Sequence, residues 1–520
     1  MRGTYVPSLS HCMVVIFCLQ QYFSLGNALV PRLTRTTAMS NVRKSPRRQS
    51  TVNNNNNGNN KPTVAVIGGG IAGLSCAQHL AQGGRYAATV FDTGRLRPGG
   101  RCSSRLAGDT PSDDATTTYP LLDQHIIDHA AQILTVPAWD TSNKFRQQVE
   151  DWEAQGVVKK YPQGTVCNIM DASNNNNNNG KKNMDSESES VENRFVLEPV
   201  NTACRPPMYY GTRGMGFIPQ AIEQASTAQL EQDVWVAPSN GVRYQKDTQK
   251  WKLQAKGQSL GIFDHLVIAH NGKCADRIMS KTPAKGVHNL LRVNFNPRVP
   301  PWGGNRMTLN SIYSLSFALP SESILDRALP VDTFVCGFVK NEPTLRFLSC
   351  QTRKYEPLSS DVEADVQVWT ILSSSTFAKK YKAPQEFLPP DVVQNVTTLL
   401  FQGLERSLNL VSGTLEENVL ESRLQLWGAA VPVNVWKSNS SDTSSRDAGF
   451  LHDPEHTVGV CGDWLLDPSI AGAWESGRRL AEYMTQHDPD KAQAIGLEGS
   501  FQANKEAMQA GIGSLAEITT

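Results

Sequence analysis

The sequence predicts an α/β fold in two parts: a parallel sheet assembled from separated stretches of chain, and an antiparallel-sheet α+β part inserted between them. Three observations carry this. Thr63 to Gly73 reads TVAVIGGGIAG, a short apolar run that stops at glycines and passes into a helical pattern. Val458 to Asp463 is a second apolar run, this one ending in Gly-Asp and again followed by a helical stretch, from Ser469 onward. Between them, short alternating runs such as Ser314–Leu319, Thr333–Val339, Arg346–Ser349 and Val366–Leu372 have the period-two pattern of half-buried antiparallel strands.

The first stretch is the most informative. Val64, Ala65, Val66 and Ile67 are too few for a helix and rich in β-branched residues, as in a strand buried on both faces of a parallel sheet. Gly68, Gly70 and Gly73 fall on the G-x-G-x-x-G spacing, and Leu74, Ala77 and Leu80 continue at helical spacing. In such a turn one glycine allows the tight bend, the next lets backbone approach a pyrophosphate, and the third lets helix and strand pack closely. The amides of Ile71 and Ala72 open the helix, whose positive end faces the phosphates. A second apolar segment, Ala87 to Phe91, ends in Asp92 with Thr93 beside it, where a carboxylate would take both ribose hydroxyls. Strand, glycines, helix and acid in this order predict a Rossmann-like dinucleotide site.

Just downstream, Arg97-Pro98-Gly99-Gly100-Arg101-Cys102-Ser103-Ser104 fits R-x-G-G-R-x-x-[ST]. Paired glycines remove side chains that would block a ligand, and a guanidinium suits phosphate or a bridging contact. This octet resembles the FAD signature of the flavin amine-oxidase superfamily, which includes amine oxidases, phytoene desaturases, protoporphyrinogen oxidase and the renalases. The resemblance implies FAD as cofactor, with Gly99 and Gly100 near it and Arg101 alongside. No Ser-Gly-Gly-Cys-Tyr attachment motif occurs, so the FAD is expected to be non-covalent.

The chain has 520 residues and a net charge of +1, long enough for several domains and without a broad field for nucleic acid. Its ten cysteines include no C-x-x-C pair, which predicts free thiols and no metal site. Arg2, the apolar stretch Cys12–Leu19 and Gly26-Asn27-Ala28 resemble a short signal. A basic, hydroxyl-rich segment follows, with no acid before Asp92. Together they resemble the bipartite plastid (chloroplast) presequence of algae with secondary plastids, with a mitochondrial or secretory address as the alternatives. The apolar stretch is far shorter than a membrane span, so no transmembrane span is expected in the mature protein. The Asn53–Asn60 tract reads as a linker, and Asn174 to Ser190 as a low-complexity insertion.

Ile127-Asp128-His129-Ala130-Ala131-Gln132 departs by one residue from the D-H-G-A-Q that renalase-like proteins carry near flavin. For His129 both a satisfied structural histidine and a flavin-side position are open. Phe145, Val149 and Trp152 then follow at helical spacing. Gly214-Met215-Gly216 opens a further helix, and Val234–Val236, Val242–Tyr244 and Trp251–Leu253 alternate as strands. Among them Val242 matches the superfamily valine whose backbone meets adenine. Phe263 to Ala269 reads as one buried strand, and Lys273 beyond it aligns with no flavin-side lysine. A Pro-Pro-Asp start predicts a helix over Pro390–Leu410. Gln425-Leu426-Trp427 stands where related proteins have His-Arg-Trp, which leaves Trp427 as either core aromatic or cavity wall. At the end, the resemblance assigns Asp463, after Gly462, to a ribityl hydroxyl. It sets the helix start at Ile470 and Ala471 against the flavin's pyrimidine edge.

These readings divide the chain into a presequence and linker over 1–61 and three pieces of FAD-binding domain over 62–135, 205–288 and 450–486. A substrate-side segment over 136–204 carries the insertion at 172–195. A substrate domain covers 289–449, and a variable tail 487–520. The resemblance implies an oxidoreductase that passes hydride from a small-molecule substrate to FAD, with O2 or another electron acceptor completing the cycle. A plastid pigment-pathway flavoenzyme and a non-catalytic flavin scaffold are the alternatives. A nicotinamide-only dehydrogenase is disfavoured by the Arg97–Ser104 and Gly462-Asp463 segments.

Overall fold

The computed structural model describes residues 61–109, 118–171, 195–237, 239–355, 366–439, 448–488 and 491–505. The presequence, the Asn53–Asn60 tract and the Asn174–Ser190 insertion lie outside the described residues.

A six-stranded sheet runs in the order Gln229–Glu231, Ala87–Phe91, Thr63–Ile67, His265–Ile268, Val458–Cys461, Phe450–Asp453. Its first four pairings are parallel and the last is antiparallel. Val64, Ala65, Val66, Leu266, Val267 and Ile268 are all fully buried, because strand faces alternate and both faces are covered. Val64 and Val66 face the helices Ile71–Gln82 and Ile470–Gln486, while Ala65 and Ile67 face Trp251, Leu253 and Met279. The two helices cross where Gly477 meets the backbone of Ala72. A methyl group at Gly477 would come within 2.2 Å of the Ala72 carbonyl oxygen.

The second sheet has seven strands in the order Glu421–Trp427, Ile312–Pro320, Val366–Ser373, Leu345–Cys350, Cys336–Val339, Val166–Asp171, Phe195–Pro199. All neighbours are antiparallel except Cys336–Val339 with Val166–Asp171. The helix Pro390–Ser407 covers one face, packing Val396, Leu400, Phe401 and Leu404 on Leu315, Phe317 and Leu348. Residues of opposite parity on the same strands (Ile312, Phe347, Leu372) face the parallel-sheet part. This is the mixed α/β architecture expected, with an antiparallel sheet beside a Rossmann-like one.

Several elements differ from the sequence reading. The single strand expected over Phe263–Ala269 is broken at Asp264 into Gln258–Phe263 and His265–Ile268. Asp264 accepts hydrogen bonds from the backbone and hydroxyl of Thr63, both 2.8 Å, and its own amide bonds the Thr63 carbonyl. The chain thus turns from a hairpin into the parallel sheet at that carboxylate. Val234–Val236 is not a strand; Gln229–Glu231 forms the sheet edge, and the Val234 amide bonds the Asp92 carbonyl at 2.9 Å. The tail contributes a strand, Gly499–Ala503, paired with Asn434–Ser438. Among the described residues, no helix is long and apolar enough to cross a membrane.

Candidate functional site

A cavity of about 540 Å³ lies across the carboxyl ends of the parallel strands, where open α/β sheets bind ligands. Two glycine turns form its floor. Gly68 has φ +118°, and a side chain there would press on the Ala269 backbone at 3.0 Å. Gly73 holds helix against strand, since a methyl group there would lie 2.0 Å from the Gly68 carbonyl oxygen. Gly70 is different. Its φ of −80° and ψ of 179° suit any residue, and the nearest atom to an added methyl is the Gly99 carbonyl oxygen at 4.0 Å. The space in front of Gly70 is cavity, so no protein contact calls for a glycine here.

The two motifs meet directly. The Gly99 amide donates to the Gly69 carbonyl at 2.8 Å, and Gly70 and Gly99 form a parallel bridge. Gly99 (φ +142°) and Gly100 (φ +54°) use backbone angles that favour glycine, which bends the second turn over the first. Arg101 then forks onto Asp463 from the last chain segment, at 2.7 and 2.9 Å, and reaches the Ala430 carbonyl at 2.8 Å. A bidentate pair of this kind fixes geometry as well as charge. A carboxylate has about four acceptor directions, so Asp463 keeps capacity for a ligand hydroxyl.

Asp92 is buried, with its carboxylate taking the Gly69 amide at 3.1 Å and the Gly94 amide at 3.2 Å. Burial pushes its carboxyl group up, and the amides of Gly69, Gly94 and Thr93 oppose that. Two helix starts border the cavity: Ile71, capped by Gly70, and Ile470, capped by the Ser469 hydroxyl, which accepts the Gly472 amide at 3.0 Å. The first amides of a helix have no partner within it and favour anionic groups.

Of the residues singled out in the sequence, Gly68, Gly70, Ile71, Ala72, Asp92, Thr93, Gly99, Gly100, Arg101, Trp427, Gly462, Asp463 and Ile470 line this one cavity. Gly73 and Ala471 lie just behind it, buried within their helices. Val242 does not line it. It pairs with Leu253 in a hairpin and packs into the core, and Val234, Trp235 and Val236 line the Asp92 end instead. The chain between those segments turns at Gly241, so the strand that matched by order is one step removed from the cavity. Lys273 is exposed, over the ring of Phe295.

His129 also lies off the cavity. It stacks behind Trp427, with centroids 5.5 Å apart and planes 17° apart, and its carbonyl accepts the Trp427 indole N–H at 2.9 Å. Its Nε2 is 3.4 Å from the Ser103 hydroxyl. Burial, and secondarily the Arg105 guanidinium, bring its pKa down to about 4, so the ring is neutral at pH 7.

A further buried cluster was only partly legible in the sequence. Asp128, fully buried, receives Lys354 Nζ at 2.6 Å, the Tyr355 hydroxyl, the Ser104 hydroxyl and the Met215 amide at 2.8 Å. Lys354 Nζ also donates to the Gln132 carbonyl at 3.0 Å and lies over the rings of Tyr161, Tyr210 and Tyr355. Asp128 stood in a quoted motif, but nothing near Lys354 in sequence marks it. Asn271 Nδ2 and Trp464 Nε1 are buried beside the cavity without a hydrogen-bond partner among the described residues. Unpaired buried donors are rare, and both fit a ligand carrying acceptor atoms. Open space before Gly70, a ribose-type acid, two helix starts and two waiting donors together fit a bound dinucleotide.

A family model described as an NAD(P)-binding Rossmann-like domain matches residues 66–148. Among solved structures, the chain is similar to cyclohexylamine oxidase from Brevibacterium oxydans, at 12% identity over 82% of this chain and 99% of that one, with a TM-score of 0.49. A putrescine oxidase bound to putrescine aligns at 10% identity over 82% and 99%, TM-score 0.44. A reduced UDP-galactopyranose mutase aligns at 10% identity over 82% and 92%, TM-score 0.45.

Proposed function

We infer that this chain is an FAD-dependent oxidoreductase, a renalase-like member of the flavin amine-oxidase superfamily. Its donor is a small reduced molecule, an amine or a dihydronicotinamide-like ring. The observation that carries the reading is the joining of the two glycine turns, Gly69 to Gly99, beneath the Arg101–Asp463 fork. That arrangement unites the octet of the flavin signature with a dinucleotide turn in one cavity.

Asp92 would hold the ribose, and the amides at Ile71 and Ala72 the pyrophosphate. Gly99 and Gly100 leave room for backbone contact, and Asp463 would take a ribityl hydroxyl. The helix beginning at Ile470 turns its positive end to the same cavity and would stabilise negative charge arriving there. Bound FAD would supply the redox chemistry, that of a hydride acceptor whose electrons pass on to O2 or another acceptor. The chain's own work is to bind, orient and keep water out.

A second reading is a flavoenzyme acting on a larger apolar isoprenoid or porphyrinogen, and the apolar side of the cavity favours it. The test for both is the purified protein itself, expected to be yellow and to release about one FAD on heating. An anaerobic screen then follows bleaching of the bound flavin. Bleaching by small amines or dihydronicotinamides supports the first reading; bleaching by a carotenoid or porphyrinogen alone supports the second. Folded protein that is colourless and takes up no added FAD overturns both.

A further inference from the structure

The side of the cavity built by the seven-stranded sheet is a single row of side chains, one from each of five adjacent strands. In sheet order these are Trp427, Ile312, Leu372, Phe347 and Phe338. Ile312 sits opposite Trp427, Phe347 opposite Leu372, and Phe338 opposite Phe347. Leu372 itself pairs with Ser314, so Ile312 is its diagonal neighbour. Opposite residues across an antiparallel ladder are about 5 Å apart and diagonal ones roughly 7–8 Å, still within reach of long side chains, so the five form one apolar plate. It is also firmly backed, because the intervening residues Tyr313, Ile371 and Leu348 are fully buried under the helix on the far face.

The charges around this plate are matched in place. Arg101 is forked onto Asp463, and Lys354 onto Asp128. Asp92, at the far end, is held by backbone amides. Gln132, the amide nearest the Lys354 pair, has its own side chain committed. Its Nε2 donates to the Asp128 carbonyl at 2.6 Å, and its Oε1 accepts from Gln351 at 3.3 Å. Aromatic faces attract cations when they flank one spot. Here two aliphatic residues, Ile312 and Leu372, separate Trp427 from Phe347, and Phe338 meets Phe347 edge to face with ring planes 60° apart.

We propose that the donor bound against this plate is an uncharged, flat or ring-shaped apolar group rather than a protonated amine. This deepens the oxidoreductase reading and rests on it for the role of the bound molecule as donor. An ammonium pressed on these five side chains would lose its hydration while its natural counter-ions are already taken. A neutral ring loses little hydration and gains contact along the whole row.

The test is equilibrium dialysis of the purified holoprotein at pH 7 with matched probes: benzyl alcohol against benzylamine, and cyclohexanol against cyclohexylamine. The neutral member of each pair is expected to bind at least about 10-fold more tightly, a difference of roughly 1.4 kcal/mol. Leu372→Asp, in the middle of the row, is expected to reverse the order. Trp427→Glu, at its half-buried edge, gives the same reversal from a position less exposed to folding failure. Amines bound as tightly as their neutral partners by the parent protein, or no probe retained at all, would overturn the proposal. Dialysis does not read flavin, so the two readings fail separately: a protein lacking FAD that still prefers the neutral probes removes the flavin and keeps the plate.

Discussion

Two glycines three residues apart do different work, and substitution separates them. Gly70 has ordinary backbone angles and faces open cavity, so Gly70→Val is expected to leave the unfolding midpoint of the ligand-free protein close to the parent's. It should nevertheless abolish dinucleotide retention, because the side chain fills the ligand's place. Gly73→Ala sets a methyl group 2.0 Å from the Gly68 carbonyl oxygen and is expected to cost about 1–3 kcal/mol of stability. Thermal melts with and without FAD distinguish the pair; equal destabilisation by both would contradict the assignment. His129 belongs to the same scale. Its pKa is about 4 in the folded protein against roughly 6.5 in the unfolded chain, so the unfolded chain takes up that proton first as pH falls. The stability from burying it neutral is complete above about pH 6.5 and is lost progressively toward pH 4. His265 is shifted in the same direction, also to about 4, so His129→Leu should remove part of the parent's loss of melting temperature between pH 7 and pH 5. An unchanged loss would show that His129 is not coupled to folding through its proton.

At the scale of elements, the cavity depends on two helices, one from each end of the described chain, whose starts both border it. Their crossing is set at Gly477, where backbone approaches backbone: the Ala72 carbonyl oxygen would be 2.2 Å and the Cys76 amide 2.9 Å from an added methyl. Neither atom can move without moving the helix that begins at the glycine turn. Gly477→Ala is therefore expected to destabilise by about 1–3 kcal/mol in denaturant unfolding, and to weaken dinucleotide binding although residue 477 does not itself line the cavity. A variant with parental stability and binding would mean that the crossing tolerates more separation than this geometry allows. Helix existence was legible here from apolar spacing after the glycine turn and after Gly462-Asp463. The contact that sets their distance was not, because it joins residues some 400 positions apart and involves no side chain on either partner.

At the scale of the whole molecule, one buried ion pair ties the antiparallel sheet to the dinucleotide part: Lys354 and Asp128, with side chains fully inaccessible. Removing one charge strands the other. Lys354→Met is expected to cost about 3–5 kcal/mol in denaturant unfolding. The double variant Asp128→Asn/Lys354→Met should recover much of that, since asparagine keeps an oxygen for the Met215 amide and the Ser104 hydroxyl. A double variant no more stable than the single one would mean that packing, not charge, holds the joint. By itself the sequence determined the parts whose physics is local. Glycines at fixed spacing bend a strand into a helix, an acid follows the second strand, and apolar period separates parallel core from antiparallel cover. It also brought twelve cavity-lining residues together by motif, from Gly68 to Ile470, while leaving Trp427 open between core and cavity wall. Only the tertiary structure decided that Val234–Val236 rather than Val242 borders the cavity, that His129 stands behind Trp427, and that five strands align one apolar row. It also decided the partner of Lys354. Each of these is a matter of which strand lies beside which and in what register, and a one-residue change of register turns a side chain to the opposite face while leaving the local pattern the same.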